Sequence, residues 1–216
     1  MKKTMSSIVV LATVLLMSCT KDVLRGEGST ITETRSLQAF SAVEVSGNRV
    51  AEIIPSVEYK VEVTGYQNLV PVYSSIVSNG KLYFEFKNHR VRNDNISLKI
   101  YTPTLSKLNM SGNTDISTGA LYAGEYFEAF ISGNGVLRMA GGTYGATHFN
   151  TSGSAKIYAS NVSSNNSHVS VSGNGHIELK ANNTLDVEIS GNGEVHYWGN
   201  PAITSNISGN GKMVKH

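Results

Sequence analysis

Several features that other protein classes rely on are missing from this sequence of 216 residues. It contains a single cysteine, so no disulfide can form within the chain. Basic and acidic residues nearly balance, at 18 and 16, so no basic field exists to attract nucleic acid and we expect no nucleic-acid partner. The longest apolar run, residues 8–17, is too short to cross a bilayer as a helix, which takes about 20 residues.

Clustered acidic residues are also scarce in the second half of the chain. β-Helix enzymes that cleave polysaccharides need paired carboxylates, or a metal and carboxylate site with a basic residue. Here the acids are scattered, and the only arginine between residues 108 and 216 is Arg138. We therefore expect no catalytic residues and no enzymatic activity.

One tripeptide, Ser-Gly-Asn, is instead repeated through the second half on a nearly fixed period. From Gly112 onward the central glycines are separated by 21, 20, 20, 18 and 18 residues, with Ser152-Gly153-Ser154 as a variant and an early copy at residues 46–48. A period of about 20 residues is typical of stacked repeats. The predicted corner residues are Gly47, Asn48, Gly112, Asn113, Gly133, Asn134, Gly153, Gly173, Asn174, Gly191, Asn192, Gly209 and Asn210.

Apolar and polar side chains alternate on both sides of each corner. Apolar residues stand two and four positions before the central glycine and four positions after it, with Ser205 as an exception. The positions between them are mostly polar. This period of two indicates strands with one buried face, and glycine and asparagine tolerate the positive φ that a corner requires.

Two all-β folds place apolar columns on both sides of the corner. A two-residue hairpin at Asn174-Gly175 fails, because Ile177 would then face away from Val171. The first remaining fold is a parallel β-helix or β-solenoid of rungs of 18–21 residues with Ser-Gly-Asn corners, and the second is an antiparallel β-sandwich of bulged hairpins. We predict the solenoid, because equivalent residues then stack into continuous ladders.

Two histidines share one position of the repeat. His148 and His168 both stand five residues before a corner glycine, which predicts that they are neighbours on successive rungs. His176 stands three residues after its corner glycine, at the position that Lys156 and Glu194 occupy in the neighbouring rungs. We interpret both positions as a solvated outer face and expect no metal site and no cofactor.

Aromatic residues give the candidate ligand face. Aromatic side chains on a flat sheet suit a glycan or a protein ligand. We select Tyr158, Tyr197 and Trp198 as the candidate ligand face, because they follow the inward column four residues after the corner.

The first 36 residues have the composition of an export signal followed by a tether. Lys2, Lys3 and the apolar run that follows make residues 1–18 a secretory signal. The ending Leu-Met-Ser-Cys at residues 16–19 resembles the bacterial lipobox, which implies cleavage before Cys19 and a lipid on that cysteine. Residues 19–36 then form a lipidated N-terminus and a flexible tether.

A single domain is expected over residues 37–216. Residues 108–216 carry the repeat ladder, whereas residues 37–107 are less regular although they alternate as strands do. The gap from Gly47 to Gly112 is 65 residues, close to three periods. This half is either a continued solenoid with degenerate corners or an antiparallel cap, since solenoids need their ends covered.

Segments of both halves resemble one known family. They are residues 40–47 (FSAVEVSG), 59–63 (YKVEV), 68–70 (NLV), 79–84 (NGKLYF) and 100–105 (IYTPTL), followed by the Ser-Gly-Asn ladder. Together they resemble the head GIN domain family, whose members are called auto-transporter adhesins and are common among exported lipoproteins of Gram-negative bacteria. The resemblance covers about residues 40–215. It implies an all-β solenoid-like fold and adhesion at the cell surface, and it brings no catalytic residues.

These observations predict a non-enzymatic cell-envelope lipoprotein that presents an extended β face as an adhesin. The expected partners are a membrane, through the lipid anchor, and a surface glycan or protein, and the expected location is the outer membrane or the cell surface. Two alternatives stay open: a carbohydrate-active β-helix enzyme, and a structural or regulatory envelope lipoprotein. A groove with two carboxylates within about 5–10 Å favours the enzyme, and a face of Ser, Asn and Tyr favours the adhesin.

Overall fold

A computed structural model describes residues 23–120 and 124–216. These residues form strands joined by short turns, together with a 3₁₀ helix at Val70–Val72. Within these two ranges, no helix has the length and apolar character needed to cross a bilayer. The predicted signal segment and the predicted lipidation site, Cys19, lie outside the described residues.

Sixteen strands are numbered here in chain order. The first eight are β1 (Val23–Arg25), β2 (Thr30–Ser36), β3 (Ala42–Pro55), β4 (Lys60–Tyr66), β5 (Tyr73–Ser78), β6 (Lys81–Phe86), β7 (Arg90–Arg92) and β8 (Ser97–Thr102). The second eight are β9 (Lys107–Ala120), β10 (Gly124–Gly133), β11 (Val136–Gly153), β12 (Lys156–Gly173), β13 (His176–Gly191), β14 (Glu194–Trp198), β15 (Ala202–Gly209) and β16 (Lys212–Lys215).

The corner glycines stack in a single column through the molecule. Parallel pairing places Gly47 beside Gly112, and each later corner glycine beside the next, as far as Gly209. The predicted β-solenoid is therefore confirmed. The sandwich of bulged hairpins is wrong, because neighbouring rungs run parallel and equivalent residues lie side by side.

Two constraints favour glycine at the corners, and the first of them applies at every corner. The corner glycines have φ between +82° and +125°, a region that side chains with a Cβ rarely adopt. The rungs also approach closely there, since a Cβ on Gly153 would lie 2.7 Å from the carbonyl oxygen of Gly133. The residue after the corner continues the ladder, as when the Asn174 backbone N–H donates to the Gly153 carbonyl over 2.8 Å.

The columns predicted to be apolar point into the solenoid. Leu108, Ile131, Ile157 and Val171 are at most 2% exposed. Burying a branched side chain of this kind contributes about 1.5–3 kcal/mol, so repetition of these columns supplies the core that disulfides would otherwise support. The final rung departs from the pattern, because every residue of β15 is exposed, Ile207 among them at 40%.

The less regular first half contains one rung and one cap. Strand β3 is a rung, paired in parallel with β9 along twelve residue positions. The 65 residues between Gly47 and Gly112 are therefore not three degenerate rungs. Strands β2, β4 and β8 pair antiparallel, β5 and β6 form a hairpin, and β6 and β8 also pair with the outer edge of β3. The insertion thus covers the sheet edge that would otherwise be open.

The predicted flexible tether is wrong for residues 23–36. Strand β1 pairs with β7, and β2 pairs antiparallel with β4 over seven residues. The polar side chains of β2 suit an edge strand, and Arg35 fixes it to the cap by donating to the Val70 carbonyl over 2.8 Å and to the Ser75 hydroxyl over 2.9 Å.

Candidate functional site

Two outward columns run side by side just before the corner. The column next to the corner glycine is serine in every rung, and the column two residues earlier is mostly amide, hydroxyl and acid. Side chains at i and i+2 lie on the same face of a strand, and rungs are about 4.8 Å apart, so the columns form a continuous polar strip. The two columns are Ser46, Ser111, Ser132, Ser152, Ser172, Ser190 and Ser208, and Glu44, Asn109, Phe130, Asn150, Ser170, Glu188 and Asn206.

An open groove lies along this strip on four successive rungs of β9 to β12 and at its edge on β3. Its volume is about 510 Å³, within the range of sites for small ligands. We call it the corner groove. The residues that line it are Glu44, Asn109, Met110, Ser111, Phe130, Ile131, Ser132, Asn150, Thr151, Ser152, Ser170 and Ser172.

One aromatic ring stands in the corner groove. Phe130 is 40% exposed, which is unusual for a phenylalanine in a chain that buries its other apolar columns. The Lys107 ammonium lies 4.8 Å from the ring centroid and is itself held by Glu128 at 2.9 Å. The ring is therefore held by a cation–π contact in an otherwise hydrophilic strip.

Asn109 supplies an unused hydrogen-bond acceptor in the same groove. Its Oδ1 atom is buried and has no hydrogen-bond partner among the described residues. A buried acceptor without a partner is costly, and this one belongs to a side chain in the wall of the groove. The corner groove thus combines an exposed ring, rows of hydroxyl groups and amide side chains.

Carboxylates contribute little to the corner groove. Glu44 is the only acid among the described residues that line it, and its carboxylate pairs with Lys81 at 2.6 Å. Glycoside hydrolysis needs two carboxyl groups on either side of one bond. The described lining of the groove therefore lacks the pair of carboxyl groups that this reaction needs.

A second cavity, of about 380 Å³, lies where the cap meets the solenoid. Two of its lining residues, Asp94 and Asp115, are acids, but each is held by an arginine. Arg49 pairs with Asp94 at 2.7 Å, and Arg138 contacts Asp115. Both carboxylates of this cavity are therefore engaged in ion pairs within the protein.

The residues selected from the sequence as a ligand face do not form one site. Tyr158 and Trp198 are partly exposed on the outer face of the strands that follow the corner, two rungs apart. Trp198 borders a shallow cavity with Lys180 and stacks on His216 at 4.5 Å between ring centroids. Tyr197 is 8% exposed and packs in the core, so its selection for an outer face is wrong.

The predicted histidine neighbours are confirmed. His148 and His168 lie directly opposite each other on β11 and β12, with ring centroids 5.3 Å apart. Asp186 on the next rung contacts only one of them, with 3.0 Å between its Oδ2 atom and His168 Nδ1.

The residues of the corner groove were not selected from the sequence. A signal for them exists, because Phe130 is the only aromatic in a column of amides, hydroxyls and acids three residues before the corner. Recognising it requires alignment of the outward positions as well as the inward ones.

Comparison with protein families gives one match. The family described as "Putative auto-transporter adhesin, head GIN domain" matches residues 39–201. A comparison with curated proteins finds no match.

Several solved structures share the fold. A "putative adhesin" from Bacteroides fragilis is 20% identical, with 89% of this chain and 98% of that one covered and a TM-score of 0.68. A "Putative lipid binding protein" from Parabacteroides distasonis is 20% identical, with 90% and 100% covered and a TM-score of 0.59. A "putative adhesin" from Parabacteroides merdae is 18% identical, with 90% and 99% covered and a TM-score of 0.54. At these identities the likeness concerns the fold alone.

Proposed function

The chain belongs to the family described as "Putative auto-transporter adhesin, head GIN domain", and from this membership we propose that it is an exported adhesin without enzymatic activity. Its ligand is a surface glycan, and the corner groove is the binding site. The observation that carries the proposal is the lining of that groove, in which serine and asparagine side chains surround the exposed ring of Phe130 and a single acid is already paired.

A glycan suits this lining, because most of the surface of the groove is apolar while hydroxyl and amide groups border it. Sugar rings present C–H faces that pack on aromatic rings and hydroxyl groups that exchange hydrogen bonds with amides and hydroxyls. Phe130 offers the ring, and Asn109 and Asn150 offer amides on either side of it in the same column. Repetition of the strip over several rungs suits an extended chain of sugars rather than one residue.

A glycan array with the purified full-length chain tests the proposed site. Phe130→Ala is expected to weaken binding about tenfold or more, because truncating an aromatic anchor at the centre of a binding site typically costs about 2 kcal/mol or more. Tyr126→Ala is the matched control, since Tyr126 lies on the same strand and is 38% exposed, against 40% for Phe130, but lies outside the corner groove.

The outcomes separate the faces of the molecule. Loss of binding in Phe130→Ala with retention in Tyr126→Ala supports the corner groove. Loss of glycan binding in Trp198→Ala alone would place the binding site on the strands after the corner and contradict the corner groove. Absence of binding to any glycan, with saturable binding to a matrix protein, replaces the glycan by a protein ligand and contradicts the proposal.

Anchoring through Cys19 completes the proposed function. The lipobox-like ending at residues 16–19 supports lipidation of this cysteine, which would hold the adhesin at the outer membrane or the cell surface. Wild-type chain expressed in a Gram-negative host with a clickable fatty acid is expected to be labelled and to fractionate with membranes. Cys19→Ser is expected to lose both properties, and equal labelling of the two chains would contradict the anchor.

A further inference from the structure

Four ionisable side chains form a compact patch on the outer face of the strands after the corner, away from the corner groove. Parallel pairing of β13 with β14 sets His176 opposite Glu194, and Glu178 opposite His196. Because residues i and i+2 share a face, the four side chains occupy the corners of one small square. We call them the histidine patch.

Three of these groups converge on one point. His176 Nδ1 lies 3.8 Å from Glu194 Oε2, and His196 Nε2 lies 2.9 Å from Glu194 Oε1. One ligand atom from each of the three residues lies within 4.8 Å of the others. His196 Nε2 is buried and faces the Glu194 carboxylate. Two imidazole nitrogens and a carboxylate oxygen that face one another at these distances form the donor set of a small metal site.

The second nitrogen of each imidazole ring already has a partner. His176 Nε2 lies 3.1 Å from Glu178 Oε1, and His196 Nδ1 lies 2.7 Å from Nε2 of His216. When His176 Nε2 and His196 Nδ1 carry the protons and donate them to these acceptors, the nitrogens that face Glu194 keep free lone pairs. Histidines that bind metals are held in the same way, by a hydrogen bond from the nitrogen that faces away from the metal.

From this arrangement we propose that His176, Glu194 and His196 bind a divalent transition metal ion such as Zn²⁺. The ligands are His176 Nδ1, His196 Nε2 and the Glu194 carboxylate. Glu178 and His216 are positioning residues, and the stacking of His216 on Trp198, with 15° between the ring planes, holds His216 in place.

The donor set selects the class of metal. Two imidazole nitrogens and one carboxylate suit Zn²⁺, Ni²⁺, Cu²⁺ or Fe²⁺, whereas Ca²⁺ and Mg²⁺ prefer sites made of oxygen atoms. The three side chains are 19–31% exposed, so an ion reaches them from solvent without opening the fold. The site joins two rungs, and His216 ties it to the end of β16.

Two charges act on a metal ion at this site, since the Glu194 carboxylate attracts it and the Lys212 ammonium repels it. The Glu194 carboxylate supplies a negative charge that attracts a cation to the two imidazole nitrogens. Lys212 Nζ lies 2.8 Å from Glu194 Oε1 and competes with a metal ion for that oxygen. Its side chain is 63% exposed and can turn into solvent when the metal binds.

Titration calorimetry with ZnCl₂ tests the site, on a full-length chain without a polyhistidine tag and with Cys19→Ser to remove the thiol. One Zn²⁺ per chain is expected. His196→Ala and Glu194→Gln are expected to weaken binding about 100-fold, His216→Ala about tenfold, and Lys212→Met to strengthen it several-fold. Co²⁺ bound in place of Zn²⁺ should give visible absorption bands that His216→Ala alters while the melting temperature of the metal-free protein stays the same.

His168→Ala is the matched control, because His148, His168 and Asp186 form a second histidine cluster in which the acid contacts only one ring. Its Zn²⁺ affinity is expected to equal that of the parent chain. The proposal is overturned if the parent binds no Zn²⁺ at about 100 μM, a concentration that saturates a site of micromolar affinity. It is equally overturned if His196→Ala and Glu194→Gln, folded by circular dichroism, bind as the parent does.

Discussion

The ladder from β9 to β15 and the cap formed by residues 56–106 bury their apolar groups by different means. In the ladder each rung repeats its neighbour, so one column supplies the same contact again and again, and the corner glycines follow one another at 18–21 residues. In the cap each contact occurs once, between strands far apart in the chain, as in the pairing of β4 with β8. The ladder therefore spreads its stability over many similar contacts, whereas the cap depends on a few particular ones.

Where the ladder meets the cap, the residue two positions after the corner glycine differs from its equivalents in the other rungs. Two residues after the corner glycine, the rungs carry small residues such as Gly135, Ala155 and Gly175. A larger side chain would meet buried side chains of the corner, since a Cβ on Gly175 would lie 2.8 Å from both Thr151 Oγ1 and Val171 Cγ1. The first rung carries Arg49 there instead. It is 7% exposed and pairs with Asp94, and its guanidinium lies 5.1 Å from the centroid of the Tyr73 ring. The first rung has no rung beyond it, so this position points into the cap.

The largest effect is expected from a charge placed in a ladder column. Ile157 is fully buried, so Ile157→Asp combines the loss of an aliphatic side chain with burial of an unpaired carboxylate. We expect a loss of more than about 4 kcal/mol in the free energy of unfolding, measured by denaturant titration. Lys156→Gln, one residue earlier and exposed, should change it by less than about 0.5 kcal/mol, and similar losses in both variants would contradict the register of the rung.

The next effect concerns the junction. Arg49→Ala leaves Asp94 and the Tyr73 hydroxyl without their buried partner, so we expect a loss of about 3–5 kcal/mol in the free energy of unfolding. Arg138→Ala is the ladder counterpart, because Arg138 contacts Asp115 in a pair that is about half exposed on both sides. Its loss should be about 1 kcal/mol or less.

Hydrogen exchange locates the damage in the Arg49 variant. Faster exchange confined to β4, β5, β6 and β8 is expected if the arginine holds the cap to the first rung. Faster exchange spread evenly along the ladder would instead show that cap and ladder unfold as one unit, and the comparison between them would fail.

Most of the ladder, and little of the cap, follows from the sequence. The inward columns and the stacking of the corner glycines can be predicted from the sequence. The repeat of about 20 residues determines which residue of the next rung each residue pairs with. The pairing of β2 with β4 and of β4 with β8 has no such period. Nothing local in residues 30–36 distinguishes an edge strand from a tether, since their polar side chains suit both.

Tyr197 was assigned to the outer face because the repeat columns were compared only as far as four residues after the corner glycine. Tyr197 stands six residues after its corner glycine, where the other rungs carry Met139, Ala159 and Leu179, all buried. Continuing the inward and outward alternation from the fourth to the sixth residue after the corner places Tyr197 in the core. The corner groove and the histidine patch consist of outward side chains. These positions carry mixed polar residues that no apolar pattern predicts, so both sites depend on how the strands pair in the structure.

A smaller effect separates the two reasons for glycine at the corners. Gly47→Ala and Gly153→Ala both force a positive φ, of +92° and +109°, which costs about 1–2 kcal/mol for alanine. Only Gly153 has a rung below its Cβ position, with the Gly133 carbonyl oxygen at 2.7 Å, whereas nothing lies within 4 Å at Gly47. We expect Gly153→Ala to lose about 1–3 kcal/mol more than Gly47→Ala in the free energy of unfolding. Equal losses would show that the conformation alone selects glycine.

The smallest effect on the free energy of unfolding is expected where the column of corner asparagines is interrupted. Asparagine side chains at the corners bond from rung to rung, as Asn134 Nδ2 donates to Asn113 Oδ1 over 3.1 Å and Asn192 Nδ2 donates to Asn174 Oδ1 over 3.0 Å. Ser154 interrupts this series, although its backbone N–H pairs with the rung below just as those of the asparagines do.

Ser154→Asn should join the two halves of the series by bonding to Asn134 on one side and Asn174 on the other. Because the corners are exposed, we expect a gain of about 0.5–1 kcal/mol in the free energy of unfolding, seen as a higher denaturant midpoint at an unchanged slope. Asn192→Ser makes the opposite change, breaking the bonds to Asn174 and Asn210, and should lose a similar amount. If both substitutions shift the midpoint in the same direction, the asparagine column is an accident of repetition, and backbone pairing and buried columns alone stabilise the ladder.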